Sequence, residues 1–180
     1  RIKIIMPIYL CATRFNSETW KSNDDYRKKH KIKGCIYGTP KMLAETIIND
    51  SFVIVLEMFN KKLPSKQCER DVIGSGGTIQ GIGLIRNTVA NIHPKIYEDG
   101  NYNRFIYKSK YRIDRNDMDR IEEAVMLFFD VICFKGPDHI KRGKGIILVP
   151  PKKIKNCNVR ETFVTDYLMN MFIKRFPDIN

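Results

Sequence analysis

The chain has 180 residues, 43% of them hydrophobic, and its 32 Lys and Arg outnumber 20 Asp and Glu for a formal net charge of +12. Such a composition suits one folded domain with a substantial core and excludes a disordered chain, a collagen-like repeat or a low-complexity tract. The longest apolar run, residues 124–134, contains Asp130 and is far shorter than the roughly 20 residues of a membrane-spanning helix, so no span is expected, and without a strongly amphipathic basic helix or a lipidation signal no membrane partner is expected either.

Residues 2–13 are β-branched and aromatic enough for a strand, with Pro7 at an edge or a bend. Residues 17–30 are polar and suit a helix. A second strand over residues 33–37 runs into Gly38-Thr39-Pro40, where Thr39 can cap a helix and Pro40 can take its first position. Met42, Leu43, Thr46 and Ile47 would share one face of that helix. Residues 52–59 form a nearly continuous apolar run, the pattern of a buried strand.

Residues 60–78 predict a long exposed loop that ends in Gly74-Ser75-Gly76-Gly77. It leads into a strand over residues 79–86 and not into a helix N-terminus, which favours a hairpin connection over a phosphate cradle. Gly81 and Gly83 inside that strand predict a bulge or the close approach of another group.

Residues 102–113 read YNRFIYKSKYRI. If extended, they place Phe105, Tyr107, Tyr111 and Ile113 on one face and Arg104, Lys108, Lys110 and Arg112 on the other, because successive strand side chains point to opposite sides. Asn116 then caps a helix whose core face carries Met118, Ile121, Val125, Phe128, Phe129 and Ile132. A basic loop over residues 139–145 precedes a short strand, residues 146–149, which Pro150-Pro151 ends. A last helix begins near Asn158, with Glu161 three residues on, and buries Phe163, Val164, Tyr167, Leu168, Met171 and Phe172. The sum is a single α+β domain over residues 1–180, with about six strands and a helical C-terminal extension over 116–180.

The cationic excess is clustered, over residues 27–33, on the 102–113 strand and over 135–155, which points to a phosphate-bearing partner. RNA or single-stranded DNA is the expected partner. Arg104, Lys108, Lys110 and Arg112 are the candidate phosphate contacts, with Arg86, Lys141, Arg142 and Lys144. Lys and Arg also simply keep exposed strands soluble and blunt sheet edges, and in a scaffold protein the same basic faces would meet acidic protein surfaces. Trp20, Tyr26, Tyr37, Tyr97 and Tyr102 are the aromatics expected outside the core, and Trp20, in a polar stretch, is a candidate for lining a pocket.

The five cysteines, at positions 11, 35, 68, 133 and 157, show no CxxC spacing, which predicts free thiols in a reducing compartment, whether cytoplasm, nucleus or virion. Cys133 with His139 lacks a second ligand pair, so Cys133 is expected to be a buried hydrophobe. None of His30, His93 and His139 lies in a nucleophile motif, and no cofactor is expected. The carboxylates Asp114, Asp117, Asp119, Glu122 and Glu123 could group around a divalent metal, but capping of the adjacent helix explains their position more simply.

The strand over residues 8–13, the segment Lys33-Gly34-Cys35-Ile36-Tyr37-Gly38-Thr39-Pro40, the buried strand Val53-Ile54-Val55-Leu56-Glu57-Met58 and the returning Gln80-Gly81-Ile82-Gly83-Leu84-Ile85 together resemble the PUA-like barrels, in particular the YTH and EVE domains. The resemblance covers residues 8–113. It implies a strongly curved sheet around a pocket for a modified base, with Tyr37 near its aromatic wall and Thr39 near the polar group beside it. The expected function is therefore non-enzymatic nucleic-acid binding, RNA favoured over DNA. Two rivals are a structural or scaffold protein, such as one of a virion, and an enzyme, either a metal-dependent nuclease or an acetyltransferase-like fold. The richness in Lys, Ile and Asn suits an AT-rich genome such as that of a large DNA virus or a protist.

Overall fold

Seven strands and four helices appear in a computed structural model that describes residues 7–60, 77–135, 139–140 and 143–179. β1 (Ile8–Phe15) and β3 (Phe52–Asn60) lie parallel at the centre of a mixed five-stranded sheet. β4 (Gly77–Arg86) and β6 (Tyr111–Asp114) extend it antiparallel on one side and β7 (Ile146–Leu148) on the other, in the order β6-β4-β3-β1-β7. β2 (Cys35–Thr39) and β5 (Phe105–Ser109) form a separate antiparallel pair. The fold is α+β, and the described strands do not close into a barrel.

The continuous apolar run of β3 follows from burial on both faces. Ile54, Leu56 and Met58 pack with Met126, Phe129 and Cys133 of α2 (Arg120–Phe134) and Leu168, Met171 and Phe172 of α4 (Glu161–Arg175). Val53 and Val55 face the other way, into a second cluster with Tyr37 and Tyr107 of the two-stranded sheet. α1 (Ser17–Lys29) closes that side. Its N-cap Asn16 exchanges hydrogen bonds with Thr19 at 2.8 and 3.0 Å, and its buried Asn23 donates to the Ile36 carbonyl at 2.7 Å and to Tyr97 Oη at 3.0 Å.

Where β3 pairs with β4, the register slips between Leu56 and Met58, so that Glu57 faces both Gln80 and Gly81. This is the bulge that the strand glycines predict. The close approach is present as well, because a Cβ on Gly83 would collide with the Tyr37 hydroxyl and one on Gly81 would crowd Glu57 and Arg112.

Five expectations are corrected. Residues 40–50 contain no helix. Thr39 belongs to β2, the Leu43 N–H donates to Tyr107 Oη at 3.0 Å and Asn87 Nδ2 donates to the Ile47 carbonyl at 2.8 Å, so side chains hold this segment in an irregular path. α2 is capped by Asp119 and not by Asn116, which lies in a 3₁₀ turn under Asp114. Ile121 is 68% exposed, since buried Glu122 and Asp130 share the sheet-facing stripe with Met126 and Phe129 and set the helix rotation. In α4 the first residue is Glu161, Asn158 takes a left-handed φ of 58° in the preceding turn, and Phe163 is 67% exposed. Pro150-Pro151 ends β7 as expected, and Pro151 then opens the short helix α3 (Pro151–Lys155).

Candidate nucleic-acid interface

The cationic stretch is extended but is not one strand. β5 ends at Ser109 and β6 begins at Tyr111, so Lys110 stands at a corner where the chain leaves β2 and joins β4. Tyr111 N–H donates to Ser109 Oγ at 3.2 Å across the corner, and Gly34 packs where any Cβ would strike the Ser109 and Lys110 backbone. Ile106, an even-numbered position in the supposedly cationic row, is fully buried.

The corner separates the four cations. Arg112 turns inward, with a side chain only 7% exposed, and its Nε and Nη2 donate to Glu57 at 2.9 and 2.7 Å while Nη1 reaches Asp114 at 3.0 Å. Burial would lower the guanidinium, but Glu57 and Asp114 outweigh it and hold it above its ordinary value. Arg112 is therefore a core residue and is removed from the candidate phosphate contacts. Its charge is neutralised in place, where an unpaired buried charge would be costly.

Tyr37 belongs to the same buried group. It is 1% exposed and donates to Glu57 Oε1 at 2.8 Å, and its phenol is pushed well up by burial and by the Cys35 and Glu57 neighbours. Thr39 is also fully buried, its hydroxyl donating to the Lys41 carbonyl. Neither can wall an open base pocket as they stand. Trp20 is half-buried, 5.2 Å from Phe15 and 5.7 Å from Phe59 between ring centroids, and acts as a lid over the second core cluster. The structure does not bring Trp20, Tyr37 and Thr39 together on one cleft.

Two other candidates do converge. Arg86, at the end of β4, and Lys108, on β5, line one cleft of about 430 Å³ with Phe52, Tyr111, Asp178 and Ile179. The Arg86 guanidinium lies 4.0 Å above the Phe52 ring, and its Nη1 donates to the Asp50 carbonyl at 2.8 Å. Lys108 is exposed, and no described acid forms a salt bridge with it. Lys110, 68% exposed, stands beside the cleft 5.3 Å from the Tyr111 ring and pairs with Asp178. The ammonium holds the Asp178 carboxyl below its usual range and is itself raised by it.

Arg104 is exposed over the Phe105 ring, at the far end of β5 from Lys108. Lys144 is exposed beside Gly145, next to Thr39, and does not line the cleft. Lys141 and Arg142 lie outside the described residues, as do the glycines of residues 74–76 and Cys68. A second cleft of about 680 Å³ separates residues 41–49 from β7 and is mostly apolar.

The grouped carboxylates are engaged as caps and ion partners. Asp119 accepts from Ile121 and Glu122 N–H, Glu122 pairs with Arg175 at 2.6 Å, and Glu123 and Asp130 grip Arg115 at 2.7 and 2.8 Å. No group of three or more His, Cys, Asp or Glu suited to a metal occurs among the described residues. Cys11, Cys35 and Cys133 are buried, each thiol pushed up to about 12 by desolvation, which leaves them inert as nucleophiles.

Phe52, Tyr111 and Asp178 are the cleft residues that the sequence pattern misses. Phe52 opens an apolar run and Tyr111 has the parity of a core residue; the one available signal for Asp178 is that it is the acid following Pro177. Comparison with family models, with curated proteins and with solved structures finds no match for this chain.

Proposed function

We propose that the protein is a non-enzymatic binder of single-stranded nucleic acid, with the cleft between β4, the β5–β6 corner and the C-terminal segment as its centre. The carrying observation is the convergence of Arg86 and Lys108, from strands in different sheets, on a cleft that also holds Phe52 and Tyr111. Cations beside rings are what an unstacked strand requires, since phosphates pair with Lys and Arg while bases stack on aromatic faces. The net charge of +12 adds long-range attraction. RNA is preferred to DNA on the resemblance to YTH and EVE domains, and on this proposal the two sheets are halves of a PUA-like curved wall linked by the β5–β6 corner. No modified base is assigned, because Tyr37 is enclosed.

The test is fluorescence anisotropy of a labelled single-stranded RNA against salt. Charge reversal of Arg86 and Lys108 together is expected to lower affinity by roughly tenfold or more at low salt and to flatten the log–log slope by about two. The equally cationic Lys28 and Lys29 on α1, reversed together, should cost less. Equal losses from both pairs would reduce the cleft to one part of a diffuse basic surface, and undetectable binding of the unaltered protein at low salt defeats the proposal.

One observation favours a scaffold role as a second function. Ile121, Leu127 and Val131 leave an apolar stripe exposed on α2, a face suited to another protein. A stable oligomer by light scattering, dispersed by Leu127→Glu, would support it.

A further inference from the structure

The segment after α4 folds back onto the β5–β6 corner. Phe176 is fixed by its ring contacts, 5.3 Å edge-on to Tyr111 and 6.3 Å stacked with Phe172, and this carries Asp178 to the mouth of the cleft. The Asp178 carboxylate there receives the Lys110 ammonium and, at 3.3 Å, the Tyr111 hydroxyl. A cation and a phenol converging on one anionic oxygen are also the donors that a phosphate oxygen accepts.

The Asp178 side chain is 51% exposed, so its carboxylate can leave these donors without opening the core. Behind it, the cleft of about 430 Å³ is in the size range of small-ligand sites, and Arg86 above Phe52 offers a cationic plane backed by a ring. A duplex keeps its bases stacked and cannot send one into such a space, whereas a single strand can turn one out.

Resting on the nucleic-acid assignment above, we infer that the cleft holds one unstacked nucleotide of a single strand, whose phosphate takes the place of the Asp178 carboxylate against Lys110 and Tyr111. Asp178 is thus an internal rival for the phosphate position, and the base lies towards Arg86 and Phe52. Binding exchanges one anion for another at Lys110, which keeps the ammonium paired in both states.

The test titrates a fluorescein-labelled oligouridine and a duplex RNA of equal length into the full chain and four variants at low salt, with thermal melts to confirm folding. Asp178→Asn removes the rival and should tighten the single strand by roughly two- to fivefold, the worth of an exposed ion pair. Asp166→Asn, which removes an exposed acid from α4, should leave affinity unchanged and so controls for net charge. Tyr111→Phe keeps the ring, loses the hydroxyl and should weaken the single strand by roughly two- to fivefold. If Arg86→Glu/Lys108→Glu abolishes binding while Asp178→Asn and Tyr111→Phe match the unaltered protein, the nucleotide site is refuted and the general nucleic-acid assignment survives. Equal tightening by Asp178→Asn and Asp166→Asn, or a duplex bound as well as the single strand, also overturns it. Absence of binding in every sample removes both proposals together.

Discussion

Lys108 and Arg112 lie four residues apart in one basic stretch, and the fold gives them opposite surroundings. Lys108 ends on the exposed side of β5 at an open cleft, whereas Arg112, past the corner at Lys110, is enclosed with Glu57, Asp114 and Tyr37 between the two sheets. A charge at the rim is free to meet a ligand. One inside is committed to its partner, because separating it would strand a carboxylate away from water. A row of cations along a strand is thus no measure of the electrostatic surface until the neighbours of each one are known.

The sharpest way to break this contrast is substitution at both ends of it. Arg112→Met should cost about 3–5 kcal/mol in denaturant unfolding by leaving Glu57 buried and unpaired, while Lys108→Met should stay within about 0.5 kcal/mol. The double variant Glu57→Gln/Arg112→Met should recover part of the loss. Equal destabilisation by the two single variants would contradict the placement of Arg112.

The room for the buried group comes from Gly83, so Gly83→Ala is expected to destabilise by about 1–3 kcal/mol through collision with the Tyr37 hydroxyl. Tyr37→Phe in the same chain should relieve much of that, and a purely additive double variant would mean that the two residues do not meet.

A smaller effect concerns the N-terminal end of α2. Arg175 hydrogen-bonds Glu122 and holds its carboxyl below the ordinary glutamate value. The resulting stability is complete above the ordinary value and fades as pH falls through the lowered one. Arg175→Met should therefore raise the acid-unfolding midpoint by roughly half a pH unit, seen by circular dichroism, and an unchanged midpoint would show that the pair adds nothing.

Much of the architecture is legible along the chain. β3 and β4 follow from apolar runs within two residues of their ends, α1 from the polar composition of residues 17–30, and the strand glycines foretell the bulge opposite Glu57. The rotation of α2 is not legible, because Glu122 and Asp130 look like solvent-facing residues until Arg175 and Arg115 arrive from distant positions. The missing helix after Pro40 has the same origin, with Tyr107 and Asn87 binding its backbone from far along the chain. At the cleft, Arg86 and Lys108 are legible in the sequence as cations, whereas the enclosure of Arg112 has one local sign, the buried Ile106 that interrupts the row of Arg104, Lys108, Lys110 and Arg112.

The order of amino acids alone determines which segments extend or coil, that the core is large enough for one domain, and that the chain carries a strong positive excess. These depend on nearest neighbours, on periodicity and on sums. Which cations face water, which tyrosine is sealed in and which acid stands at the cleft were decided only when Gly34 let the corner close and β6 left β5 for β4. Burial and ion pairing join residues such as Glu57 and Arg112, 55 positions apart, and no local pattern encodes that meeting.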